Sequence, residues 1–92
     1  MSYKKRQYRL KKRVAKILAQ VGYDVIFPRN EYLFDLIAIY KDRVRYVAIS
    51  LDKPNKELIG LIKAAEKPGE KEIWFRDKNN KIETICIGGG LK

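Results

Sequence analysis

The apolar patterning of the chain predicts an α/β fold: a five-stranded mixed sheet flanked by helices, in the order α-β-β-β-α-β-β. Three observations carry this prediction. An apolar stripe at helical period runs from Leu10 to Val21 and stops at Gly22. Two apolar runs, Phe34 to Tyr40 and Tyr46 to Asp52, flank the charged segment Lys41-Asp42-Arg43 and read as a β-hairpin. A second helical pattern then separates this hairpin from two later strand-like runs. With 92 residues, there is room for one domain and one core, spanning 1–92.

The first helix, about residues 3–21, is read from Leu10, Val14, Ile17, Leu18 and Val21, which fall at i, i+4, i+7, i+8 and i+11. Gly22 is a natural residue for the left-handed position that ends a helix. Lys4, Lys5, Arg6, Arg9, Lys11, Lys12, Arg13 and Lys16 lie in the same segment, and no acid precedes Asp24. Like charges four apart weaken a helix by tenths of a kcal/mol per pair. A helix that tolerates several such pairs suggests a use for the charge. Tyr3 and Tyr8 interleave with the cations and suit either core packing or contact with a sugar-phosphate chain.

Tyr23 to Phe27 alternates as a short strand and stops at Pro28-Arg29-Asn30. In the hairpin, Val47, Ile49 and Leu51 share one face of the second strand, expected toward a helix, and Ala48, Ser50 and Asp52 share the other. Lys53-Pro54-Asn55 breaks the strand. Asp52 or Asn55 caps a second helix whose apolar side is Leu58, Ile59, Leu61, Ile62 and Ala65, closed by Pro68-Gly69. Glu72 to Arg76 and Ile82 to Ile87 read as the last two strands, joined through Asp77 to Asn80. The glycines 88–90 follow a strand and open no helix, so they read as a flexible tail, 88–92, and not as a phosphate loop.

Composition narrows the function. The formal charge is +10, from 21 Lys and Arg against 11 Asp and Glu, and it points to a polyanionic partner, nucleic acid before membrane. The absence of histidine removes Ser-His and Cys-His catalysis and the usual zinc ligands. The one cysteine, Cys86, excludes an intramolecular disulfide and is expected as a small buried strand residue. No apolar run is long enough to span a membrane and no signal peptide is evident, so a cytoplasmic protein is expected. Abundant Lys, Ile and Glu are of the kind seen in thermophiles.

Asp35, at the head of the hairpin beside an otherwise apolar run, is either a metal-binding acid or a residue that caps the strand and pairs with a nearby cation. The order of elements, with Gly22-Tyr23 closing a basic helix and Asp35-Leu36-Ile37-Ala38 opening a strand, resembles the restriction-endonuclease-like nucleases of the PD-(D/E)xK superfamily. Within them it looks most like the archaeal Holliday junction resolvases, over roughly residues 4 to 87. The resemblance implies an acid on each hairpin strand holding Mg²⁺ or Mn²⁺, a lysine two residues after the second acid, and a supporting glutamate on the first helix.

Carried over position by position, Asp35 matches the first acid. Ser50 stands at the second acid, Asp52 at the lysine, and Lys11 at the helix glutamate, so three of the four positions are replaced. A rewired site would use Asp35 and Asp52 as metal ligands, with Lys53 displaced by one residue and Glu31 in place of the helix acid.

The leading expectation is therefore a nucleic-acid-binding protein on a degenerate, non-cleaving nuclease fold. It would grip phosphates through the cations of the first helix with Arg29, Arg43 and Arg45, on double-stranded or branched DNA. The alternative is an active metal-dependent, structure-selective endonuclease, and a third is a structural or partner-binding protein. Ile73, Trp74 and Phe75 mark either a homodimer contact, as resolvases of this type are twofold dimers, or the core.

Overall fold

The computed structural model describes residues 3–29 and 33–87. In chain order the elements are α1 (Tyr3–Gln20), β1 (Asp24–Ile26), β2 (Leu36–Tyr40), β3 (Arg43–Ser50), α2 (Lys56–Ala64), β4 (Glu70–Arg76) and β5 (Ile82–Cys86). The strands form one sheet in the order β1-β2-β3-β4-β5. Pairing is antiparallel except between β3 and β4, which run parallel and are joined by the α2 crossover. This is the expected α/β architecture with a mixed sheet.

The helices take opposite faces of the sheet. Leu10, Val14 and Leu18 of α1 pack with Leu36, Ala38, Val47, Ile49, Leu51 and Trp74. Ile62 of α2 packs with Phe34, Ala48, Ile73 and Ile87. Adjacent residues such as Ala48 and Ile49, or Ile73 and Trp74, thus serve different cores, as the two-residue period of a strand requires. The hairpin strand read as apolar on one face and small or polar on the other is covered on both, with Ala48 beneath α2. Ile73, Trp74 and Phe75 are buried within a single copy. They belong to the interior of the single chain.

α1 ends as the sequence indicates. Gly22 has φ +104°, its N–H donates to the Ala19 carbonyl (3.0 Å), and the Tyr23 N–H reaches back to the Leu18 carbonyl (3.1 Å). These two bonds are a Schellman cap. The cap also explains one miss: Val21, expected on the apolar stripe, is the turning residue and is 66% exposed. Of the two candidate caps for α2, Asn55 serves, with its side chain accepting the Leu58 N–H at 2.8 Å. At the other end of α2, the Lys71 ammonium donates to the Lys63 and Ala65 carbonyls (2.9 and 2.7 Å). Leu61, expected on the apolar side of α2, is exposed.

Two boundaries differ from expectation. The hairpin turns on two residues, Lys41 and Asp42, with Lys41 at φ +54°, so β3 starts at Arg43 rather than Tyr46. β4 likewise starts at Glu70. Over the added residues, Arg43 and Arg45 of β3 meet Glu70 and Glu72 of β4 as a ladder of ion pairs across the parallel strands. Gly69 permits the close approach: a Cβ there would lie 2.4 Å from the Val44 carbonyl oxygen. Cys86 is exposed, against expectation. It lies on the edge strand β5 opposite Glu72, on the face where α1 packs chiefly over β1, β2 and β3 and leaves β5 uncovered. The glycine tail lies outside the described residues.

Candidate nucleic-acid interface

Asp35 precedes β2, where the β2–β3 ladder runs out. Its own N–H donates to the Val47 carbonyl (2.8 Å), and its carboxylate Oδ2 accepts the N–H of Ile49 (2.9 Å). Ile49 lies two residues beyond Val47 on β3, so its N–H and C=O also face the β2 side, past the last paired residue of that strand. Asp35 satisfies the donor. The acceptor is satisfied from α1, where Gln7 Nε2 donates to the Ile49 carbonyl at 3.2 Å. Asp35 thus caps the strand, with the Lys11 ammonium exerting a favourable field on its carboxylate. Burial pushes the Asp35 carboxyl above the ordinary aspartate range, and the Ile49 N–H and Lys11 offset this only in part.

The other residues of the resemblance do not gather around Asp35. Lys4, Gln7, Tyr8 and Lys11 line a shallow depression with it, on one flank of α1. Asp52 lines a different cleft, on the opposite flank, with Arg6 and Arg9. The Ser50 hydroxyl donates to the backbone carbonyl of Asp52 (2.7 Å), in a local turn. Lys53 is exposed in the loop before α2. Glu31 lies outside the described residues. Among the described residues, no three His, Cys, Asp or Glu side chains form a group able to hold a metal ion. Among the described residues the donors around Asp35 are poor ones for Mg²⁺ or Mn²⁺: one carboxylate, engaged by a backbone N–H, faces a lysine where a further carboxylate would be needed.

The cations of α1 are disposed differently. At 3.6 residues per turn they spread over both flanks and the outer surface of the helix. Lys4 and Lys11 border the Asp35 depression, Arg6 and Arg9 the opposite cleft, and Arg13 and Lys16 continue that flank toward Gln20. Lys5 and Lys12 are exposed, and the Lys12 ammonium sits 5.6 Å from the centre of the Tyr8 ring. Lys11 lies at the same distance over Phe27, an exposed aromatic after β1. Tyr3 and Tyr8 are also exposed, so neither is a core residue. Within the described residues, ion pairs hold Arg43 and Arg45 to Glu70 and Glu72, and no ion pair engages Lys4, Arg6, Arg9, Lys11, Lys12, Arg13 or Lys16.

Arg29, Arg43 and Arg45 separate from this group. Arg29 is exposed in the loop after β1. Arg43 donates through Nη2 to both oxygens of Glu70 (2.8 and 3.0 Å). Arg45 makes a fork to Glu72 through Nε (2.5 Å) and Nη2 (2.9 Å), and stacks 5.1 Å from the Tyr23 ring centre. Glu72, only 1% exposed, also accepts the Trp74 indole N–H at 2.8 Å. Burial works against the charged form of Arg45, yet hydrogen bonds to Glu72 and Tyr23 hold its guanidinium above the ordinary arginine value. Its charge is spent inside the fold.

Sequence reasoning missed Gln7 and Glu72. Gln7 had a signal: it is an uncharged residue amid cations, three before Leu10 and seven before Val14, on the inward stripe itself. Glu72 had none, because its partner is fixed only by the register of β3 on β4. Among the described residues, no helix is long and apolar enough to cross a membrane. No protein-family model and no curated protein matches the chain.

Proposed function

We propose that the chain is a nucleic-acid-binding protein that grips phosphates with α1, on a degenerate restriction-endonuclease-like fold that does not cleave. One observation carries the reading: six cations of α1, Lys4, Arg6, Arg9, Lys12, Arg13 and Lys16, are exposed on its surface, and no ion pair engages them among the described residues. Desolvating or pairing these charges is not required for the fold, and their mutual repulsion costs helix stability. A polyanion removes that cost and releases its own counterions on binding. The exposed Tyr3 and Tyr8 among the cations add aromatic surface that can meet bases or sugars. Arg43 and Arg45 already have carboxylate partners in Glu70 and Glu72, in an exposed pair and a half-buried one, while Arg29 remains available to extend the surface.

The order of elements and the mixed sheet support the resemblance to Holliday junction resolvases, and with it DNA, duplex or branched, as the favoured ligand. The arrangement at Asp35 supports loss of cleavage. Where two carboxylates and a lysine would be needed at one point, Asp35 caps Ile49 and Asp52 faces arginines on the other side of α1. Incubation of the protein with a four-way DNA junction and Mg²⁺ or Mn²⁺ tests this. The expected result is a shifted but intact junction. Cleavage that Asp35→Asn abolishes would overturn the non-cleaving reading.

A further inference from the structure

At the carboxyl end of the parallel pair β3–β4, a cleft of about 330 Å³ opens between the first half of α1 and the β4–β5 turn. In open α/β sheets this end is where ligands sit, since the crossover helix leaves a crevice beyond the strands. Three arginines from two separate elements converge on the cleft. Arg6 and Arg9 are one turn apart on α1, and Arg76 is the last residue of β4.

The cleft is held in shape by the turn beside it. Arg76 Nη1 donates to the Asn80 carbonyl (3.0 Å), and Asn80 takes φ +66° to present it. The Asp77 carboxylate Oδ1 accepts the N–H groups of Asn79 (2.8 Å) and Lys81 (2.9 Å), so this acid is committed to the turn. Asp52 is the other carboxylate of the lining, and no ion pair joins it to the three arginines among the described residues. The guanidinium forks of Arg6 and Arg9 and the remaining N–H donors of Arg76 are therefore open to an external anion. Planar forks of this kind match phosphate oxygens two at a time.

We propose that Arg6, Arg9 and Arg76 form a phosphate-binding cleft that seats one phosphate of a nucleic-acid strand. The proposal rests on the nucleic-acid reading above and adds to it a defined anchor and a residue outside α1, Arg76. Asp52 also borders the cleft, and the three guanidinium groups outweigh its repulsion of a single bound phosphate.

Two titrations test it. In the first, inorganic phosphate is added while arginine side-chain Nε–H resonances are followed by NMR; saturable shifts at Arg6, Arg9 and Arg76 are expected, and their absence would overturn the proposal. In the second, single-stranded oligonucleotides with and without a 5′-phosphate are bound to wild type, Arg76→Gln, Arg76→Lys and Lys12→Gln. Arg76→Gln is expected to weaken binding about tenfold and to flatten the salt dependence by about one unit of slope. Arg76→Lys, which keeps charge but loses the fork, is expected to fall between Arg76→Gln and wild type.

Lys12, on the outer surface of α1, controls for general charge. A loss for Arg76→Gln no larger than that for Lys12→Gln would sink the cleft while leaving the nucleic-acid reading intact. Phosphate shifts without any oligonucleotide binding would do the reverse. Tighter binding of the 5′-phosphorylated strand would identify a strand end as the source of the phosphate, and equal binding an internal phosphodiester. Unchanged thermal melts for the variants exclude unfolding as the cause of a loss.

Discussion

The backbone of Ile49 shows what each polar residue near the hairpin is for. Its N–H is taken by Asp35 and its carbonyl by Gln7, at a point where β2 no longer supplies partners. Asp35→Ala removes the acceptor and leaves a partly buried N–H unsatisfied, at a cost of about 1–3 kcal/mol. Asp35→Asn keeps an acceptor and removes a desolvated charge, so it is expected to unfold in urea at or above the wild-type midpoint at pH 7. The pH dependence has a definite sign. The folded carboxyl titrates above its unfolded value because of burial, so the native state holds the proton more tightly. Its contribution to stability is full at acid pH and is lost as pH rises through the folded value. Wild type should therefore gain on Asp35→Asn as pH falls, and an opposite trend in urea unfolding would show that the Ile49 N–H and Lys11 outweigh burial at this carboxyl.

Among the elements, the β3–β4 pair depends most on charge. Glu72 is buried beneath Arg45 and the Trp74 indole, and it ties the start of the parallel register to the α1 face of the sheet. Glu72→Ala would leave a largely buried guanidinium and an indole N–H without their acceptor, and breaking a buried pair in this way costs about 3–5 kcal/mol. Chemical denaturation is expected to show this loss, whereas Glu70→Ala, whose pair with Arg43 is exposed, should cost under about 1 kcal/mol. Similar losses for the two would refute the distinction.

The elements also mark what sequence could and could not supply. The 3.6-residue stripe of α1 and its stop at Gly22 were legible because period and a left-handed glycine are local properties. The parity of Val47, Ile49 and Leu51 was legible for the same reason. The early start of β3, the burial of Glu72 and the exposure of Cys86 were not. Each depends on which strand lies beside which and how far α1 reaches across the sheet, and these are non-local facts. The separation of Asp35 from Asp52 by the width of α1 belongs to the same class, since strand parity placed the two acids near one hairpin but could not place the helix between them.

At the scale of the whole molecule, side-chain ion pairs among the described residues form one ladder between β3 and β4, while the excess of ten positive charges is densest on α1. The charge and its focus on one helix were visible in the sequence, but the depressions along that helix's two flanks required the three-dimensional arrangement. The central claim is that these charges meet nucleic-acid phosphates. It is tested most directly by the affinity for duplex and four-way-junction DNA, measured by fluorescence anisotropy across a series of salt concentrations. If several α1 cations each neutralise a phosphate, log K should fall linearly with log salt, with a slope on the order of −4 to −6. Affinity that is absent at low salt, or a slope near zero, would contradict the account.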